Sequence, residues 1–208
     1  MNLFLLFTSA TDAVVALSDQ HVVKMILETA QVLYCAHHVI AKDVLDQRLA
    51  EHNKGRSTAL TAYKATHRMH PISVWVRAHA YHYAWACHYG LIMCKEYTLR
   101  YGKVHKTEAH LQFLAELGYP AVPKDYVPEL PKKQSKEWVY ATKGIPDVFF
   151  YFPLCMPEEY YVRDADGHYD AVQSYQKFYS NKGFEMRYRY SAKPAFIDKY
   201  RDTKIEVK

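Results

Sequence analysis

The chain has 208 residues, of which 50% are hydrophobic, so it can form one domain with a substantial core. Its formal net charge is +5 with twelve histidines counted as neutral, and such a surface attracts polyanions, more strongly below neutral pH. No apolar run approaches about 18 residues, which excludes a membrane-spanning helix and a membrane partner. Four cysteines without CxxC spacing indicate reduced thiols in an intracellular protein of the cytoplasm or the nucleus.

The segment from Ser18 to His38 predicts a helix that is largely buried. Apolar residues cover most of its circumference, while its polar residues project along one narrow face: His21, Lys24, Glu28 and Gln31. Because burial and mutual charge can shift their pKa values, these side chains form a candidate site. The alternative is a solvated helix face with an ion pair between Lys24 and Glu28, which fits the same spacing.

Apolar periodicity, together with the residues that start and end helices, predicts four helices in all. The chain begins with a short extended segment. The first predicted helix runs from Ser18 or Asp19 to a point between Ile40 and Glu51, the second from Pro71 to about Tyr101, the third from Thr107 to Leu117, and the fourth from about Asp170 to Asn181. The sequence NKGR at 53–56 predicts a turn between the first two helices.

A proline-rich segment separates the third and fourth predicted helices. Its seven prolines, between Tyr119 and Pro157, exclude a long helix or a central strand, whereas the aromatic run 149–152 argues against disorder. We therefore predict a mostly α, compact single-domain helical bundle over residues 1–208. It carries an ordered proline-rich loop at about 119–157 and a basic, tyrosine-rich C-terminal tail at about 184–208.

Two further clusters carry charge at predicted helix ends. His67 and His70 lie just before a helix start, where backbone N–H groups favour an anion such as phosphate. The second cluster follows the long helix and suits either phosphate contacts or neutralisation of the helix dipole; it contains Arg100, Tyr101, Lys103, His105 and Lys106.

No spacing in the sequence matches a known metal or cofactor motif. The histidines do not form HExxH or pair with cysteines at zinc-finger spacing, and the scattered glycines form neither a phosphate loop nor a dinucleotide fingerprint. We therefore expect neither a metal nor a cofactor.

The segment SDQHVVKMILETAQ resembles the first catalytic helix of the pyrimidine-dimer DNA glycosylases of the phage endonuclease V type. In that family a D-Q-H triplet is followed, seven residues after its histidine, by the catalytic glutamate; here the pattern is Asp19, Gln20, His21 and Glu28. The His70-Pro71 step with the long aromatic helix after it, the MPEEY sequence at 156–160 and the basic tail resemble the family more loosely.

The resemblance implies a helical DNA-repair enzyme that flips a nucleotide out of duplex DNA, in which an N-terminal amine attacks the sugar C1′ to form an imine. Glu28 would then be the acid/base and imine stabiliser, and His21 would position DNA or Glu28. The attacking amine would belong to Asn2 or to Met1, or else to Lys24 if burial or a neighbouring cation depressed its pKa.

The DNA-binding residues expected from this resemblance and from charge are Gln20, Gln31, His67, His70, Arg100, Tyr101, Lys103, His105, Lys106, Arg187 and Arg189. The family carries arginines one residue before and three residues after its glutamate, where this chain has Leu27 and Gln31. A changed lesion pocket follows from that difference, so the substrate need not be a cyclobutane dimer.

We therefore predict a base-excision enzyme, an N-glycosylase with AP-lyase activity on damaged or modified pyrimidines in double-stranded DNA. The resemblance also implies a monomer and a viral or phage-like source, which would place the protein in the cytoplasm of an infected cell. One alternative is a non-catalytic nucleic-acid-binding or DNA-modification accessory protein with the same fold. Another is an enzyme or assembly protein that binds a protein partner through its tyrosine-rich surface.

Overall fold

One long helix, α2 (Asp19–Ile40), packs against four other helices and organises the rest of the chain. The computed structural model describes residues 2–124, 126 and 138–201. Along α2 the apolar side chains of Val22, Ile26, Ala30 and Leu33 are fully buried. The predicted burial of this helix is therefore confirmed.

The described residues form a mostly α structure, as the sequence predicted. Helices α3 to α6 pack against α2, and the buried apolar side chains of the described chain form one continuous core. The helices are α1 (Ala10–Val15), α2 (Asp19–Ile40), α3 (Lys42–Asn53), α4 (Pro71–Ala78), α5 (Ala80–Tyr101), α6 (Glu108–Leu117), α7 (Ala171–Ser180) and α8 (Ala195–Arg201), with a one-turn 3-10 helix at Glu158–Tyr160 and strands β1 (Tyr140–Ala141) and β2 (Phe152–Pro153).

The prediction of one unbroken helix from Pro71 to about Tyr101 is wrong, because the helix breaks at His79. This residue has an extended backbone (φ −154°, ψ 140°), and its Nδ1 accepts a hydrogen bond of 3.3 Å from the N–H of Tyr81 at the start of α5. The break allows the rings of Trp75 and His82 to stack with their centroids 4.2 Å apart. In a continuous helix these residues would lie about 10 Å apart along the axis.

The proline-rich segment is ordered where the structure describes it. Strand β1 pairs antiparallel with β2, and the indole N–H of Trp75 donates a hydrogen bond of 2.7 Å to the carbonyl of Tyr151. The rings of Phe149 and Phe152 each pack edge-on against Trp75, with centroids 4.8 Å apart. Residues 125 and 127–137, which include the KKQSK run, lie outside the described residues.

Helices α1, α3 and α8 were not predicted: α1 and α8 are short, and α3 is separated from α2 only by Ala41, within the stretch where the first helix was expected to end. The N–H of Asp12 donates to the side chain of Ser9, which caps α1, and α8 packs against α7. No described helix combines the length and the apolar character needed to cross a membrane.

A buried ion pair joins the start of α2 to the end of α5. The guanidinium of Arg100 is 1% exposed and lies 3.2 Å from the Asp19 carboxylate and 2.7 Å from that of Glu96. It also donates to the carbonyls of Val15 and Leu17 at 3.0 and 2.8 Å. A charge buried this deeply is stable only with all of these acceptors, so the segment before α2 is fixed against α5.

We predict that Arg100→Ala destabilises the protein by about 3–5 kcal/mol, because it leaves the Asp19 charge buried without its partner. Urea unfolding measures this loss. The control is Arg48→Ala, which removes an exposed ion pair with Glu51 and should cost less than about 1 kcal/mol. Equal losses in both variants would contradict the structural role of Arg100.

Two histidines in the core are expected to make the stability of the fold sensitive to acid. The His37 Nε2 lies 2.8 Å from the Tyr83 hydroxyl, and burial lowers the pKa of His37 to about 4. Burial also lowers the pKa of His82. In the unfolded chain these groups titrate near pH 6.5. The unfolded state therefore binds protons that the folded state does not, and stability falls as the pH drops below about 7.

For His37 we expect the free energy of unfolding to fall by about 2 kcal/mol between pH 7 and pH 5, because its pKa rises from about 4 in the folded protein to about 6.5 in the unfolded chain. His37→Gln should reduce this pH dependence, measured by urea unfolding at both pH values. His88→Gln, at an exposed position of α5, is the matched control and should leave it unchanged. An unaltered pH dependence in His37→Gln would refute the assignment.

Candidate active site

The Glu28 carboxylate on α2 is partly buried, and its side chain is 14% exposed. It accepts a hydrogen bond of 3.1 Å from the backbone nitrogen of Asn2 and pairs with the ammonium of Lys24 at 3.3 Å. The structure thus brings together three of the predicted catalytic residues, Asn2, Lys24 and Glu28. Met1 lies outside the described residues.

Residue 2 is held in place by its side chain as well as by Glu28. The Asn2 side-chain amide donates a hydrogen bond of 3.1 Å to the carbonyl of Cys155, and the buried Tyr175 hydroxyl lies 3.1 Å from the Asn2 Oδ1. Tyr175 belongs to α7, whereas Cys155 follows β2. The site is therefore assembled from segments that are distant in sequence.

A lysine that the sequence analysis missed also lies at this site. The Nζ of Lys182 is 4.8 Å from the ring centroid of Phe4 and 4.4 Å from that of Phe178. Burial lowers the pKa of Lys182, the charge of Lys24 lowers it further and that of Glu28 raises it. Lys182 follows α7 in a stretch without a motif, so only the fold places it beside α2.

The His21 imidazole faces inward rather than toward solvent. Its Nδ1 lies 2.7 Å from the Tyr179 hydroxyl and 3.0 Å from the Ser18 hydroxyl, and its ring packs edge-on against Phe4. Burial, with the charges of Lys182 and Lys24, lowers its pKa to about 3. The ring is therefore neutral and buried against α7, and its predicted role in positioning DNA or Glu28 stays a prediction.

The second predicted cluster also takes part in the fold. The Nδ1 of His70 caps α4 by accepting a hydrogen bond of 3.2 Å from the N–H of Ile72, and burial lowers the pKa of this half-buried side chain to about 4. Glu28 is within electrostatic reach of His70 and acts against this shift. His67 is exposed, with a left-handed backbone (φ 53°). His70 is thus a neighbour of the site, His67 lies near His70, and the half-buried Gln31 lies about one turn along α2 from Glu28.

A second cleft lies beside the start of α2, where the basic tail is attached. The N–H of Asp19 donates to the carbonyl of Arg187 at 2.8 Å, and the N–H groups of Arg187 and Arg189 donate to the side chains of Gln20 and Asp19 at 3.0 and 2.8 Å. Because these bonds use the tail backbone, both arginine side chains stay exposed in the cleft.

Aromatic rings form another wall of this cleft. Tyr101 and Tyr190 pack edge-on with centroids 5.1 Å apart, and the Tyr101 hydroxyl donates a hydrogen bond of 3.0 Å to the Asp19 carbonyl. Gln20 also donates through its amide to the carbonyl of Glu185 at 2.9 Å. The Asp19-Gln20 part of the motif therefore anchors the tail.

The predicted phosphate contact of Arg100 is contradicted, because its guanidinium is buried and bonded within the protein. Lys103 and Lys106 are exposed after α5. The Nδ1 of half-buried His105 accepts from the N–H of Thr107 at 3.1 Å, and burial lowers the His105 pKa. Of this cluster, the two lysines remain accessible to a phosphate.

One group of metal-type ligand atoms occurs in the described part of the chain, away from Glu28 in sequence. Ligand atoms of Asp164, Asp166 and His168 lie within 4.8 Å of one another. The Asp164 carboxylate accepts hydrogen bonds of 3.0 and 2.8 Å from the N–H groups of Asp166 and His168. These bonds close a surface turn, which accounts for the proximity of the three side chains.

The chain was compared with protein-family models, with curated proteins and with solved structures, and none of the three comparisons found a significant match.

Proposed function

We propose that this protein is a DNA base-excision enzyme, an N-glycosylase with AP-lyase activity on damaged or modified pyrimidines. The observation that carries the proposal is the partly buried Glu28 carboxylate, 3.1 Å from the Asn2 nitrogen and 3.3 Å from the Lys24 ammonium. A carboxylate next to an amine, here that of Lys24 at the N-terminal segment of the chain, is the arrangement that imine formation at a sugar carbon requires. The resemblance around Glu28 supports the same chemistry.

Each step of this reaction has a group that suits it. An amine attacks C1′ of the deoxyribose as the base departs, and Glu28 supplies and accepts the protons that move as the imine forms. Glu28 then removes the C2′ proton, and the 3′ phosphate leaves by β-elimination. The excess of positive charge around the single Glu28 carboxylate favours the phosphates that flank the reacting sugar.

The cleft at the start of α2 provides a surface for the DNA backbone next to this site. Gln20 lies eight residues before Glu28, so the two side chains are separated by about 12 Å along the helix. The exposed Arg187 and Arg189 can pair with phosphates, and Tyr101 and Tyr190 offer rings for stacking. We place duplex DNA across this cleft and over Glu28.

We predict that Glu28→Gln lowers strand cleavage by about 100-fold or more while leaving DNA binding roughly unchanged, because the amide cannot transfer protons. Cleavage is measured on duplexes that carry an abasic site, a thymine dimer or a modified pyrimidine. Glu116→Gln, at an exposed position on α6, is the matched control and should cleave like the wild type.

Two results would argue against the proposal. Wild-type rates in Glu28→Gln on every cleaved substrate would exclude Glu28 as the acid/base. Salt-dependent binding of duplex DNA by the wild type without any cleavage would favour the non-catalytic DNA-binding alternative.

We also predict that Arg187→Ala and Arg189→Ala each weaken duplex binding and lower the slope of log affinity against log salt by about 1, since each would remove one phosphate contact. Fluorescence anisotropy over a series of salt concentrations measures the slope. Arg48→Ala, which removes an exposed charge on α3, should leave it unchanged. Unchanged slopes in both tail variants would show that the DNA does not use this cleft.

A further inference from the structure

Lys182 has surroundings unlike those of an ordinary surface lysine. Its half-buried side chain extends over the rings of Phe4 and Phe178, and within the described residues its Nζ donates no hydrogen bond and forms no ion pair. Aromatic rings attract an ammonium more weakly than a carboxylate does. The amine is therefore held in position without a strong acceptor for its protons.

The groups around Lys182 favour its neutral form. Lys24 and Lys182 both lower the pKa of His21, which places the two lysines within electrostatic reach of the same buried ring. Burial and the charge of Lys24 also lower the pKa of Lys182 itself. Desolvation and a second cation are the two means by which a lysine is made nucleophilic near neutral pH.

The candidates Lys24 and Asn2, which lie in the described part of the chain, are less suited to attack. Lys24 is 68% exposed and is engaged with Glu28 at 3.3 Å. The Asn2 nitrogen is a peptide N–H that donates to the same carboxylate, and the Asn2 side chain is fixed by Cys155 and Tyr175. Lys182 combines partial burial, fixed aromatic contacts and electrostatic proximity to Glu28.

We propose that Lys182 is the catalytic amine that forms the imine with the sugar, an inference that rests on the proposed DNA glycosylase and lyase function. At an abasic site the Nζ lone pair attacks C1′ of the open-chain sugar aldehyde, and a C–N bond forms. The aldehyde oxygen leaves as water with both amine protons, which Glu28 relays. Glu28 then removes the C2′ proton, the electron pair shifts to expel the 3′ phosphate, and water later hydrolyses the imine to restore the amine.

The test is borohydride trapping of the full-length protein on a duplex with one abasic site, followed by peptide mapping. Borohydride reduces the imine to a stable amine, so the modified residue is identified by mass. We expect the adduct at Lys182 in the wild type. Lys182→Arg keeps the charge but loses the nucleophile, and it should reduce the adduct at least tenfold.

The matched control is Lys199→Arg, because Lys199 also places its Nζ over an aromatic ring, 4.8 Å from the centroid of Tyr200, but on α8. It should trap DNA like the wild type. An adduct at the N-terminal peptide or at Lys24, unchanged by Lys182→Arg, would overturn the role of Lys182 and leave the proposed function standing. No adduct anywhere on DNA that the protein binds would overturn both.

Discussion

The structure depends on the burial of one charged pair at the start of α2. Asp19 faces the Arg100 guanidinium on one side and the Arg189 N–H on the other, so one carboxylate joins α2, the end of α5 and the tail. Removing either partner would leave the other as a buried charge without its counter-charge. At the same end of α2, the Gln20 side chain is hydrogen-bonded to the tail. Glu28 lies about two turns further along this anchored helix.

The candidate site is a carboxylate close to two lysines and to aromatic rings. Glu28 is close enough to Lys24 and to the Asn2 nitrogen for direct contact, and Lys182 reaches the same region from α7 across Phe4. His21 supports this arrangement from inside, where its neutral ring contacts Tyr179. A surplus of cations around one carboxylate attracts phosphate groups. The proposed chemistry, at a sugar carbon flanked by phosphates, and the proposed ligand, DNA, therefore call for the same electrostatic surroundings.

The periodicity of α2 was sufficient to predict its burial, because that burial follows from the residues of one helix. The break at His79 could not be predicted, since it is stabilised by the stacking of Trp75 on His82 after the chain has turned. Lys182 was missed for a similar reason: nothing in its local sequence indicates that Phe4 lies beneath it. Arg100 was misjudged because a basic residue at a helix end has the same sequence signature whether it faces solvent or a buried carboxylate.

The bond between Asn2 and Tyr175 spans 173 residues, and that separation bears on how the protein is made. Because the ribosome synthesises the N-terminal part of a chain first, α2 and Glu28 exist long before α7 and Lys182 are made. The phenylalanine that will lie under Lys182 stays without that partner until the last part of the chain emerges. A product cut short before α7 would keep Glu28 but lack both Tyr175 and Lys182, so it would lose the hydroxyl group that holds the Asn2 side chain next to Glu28.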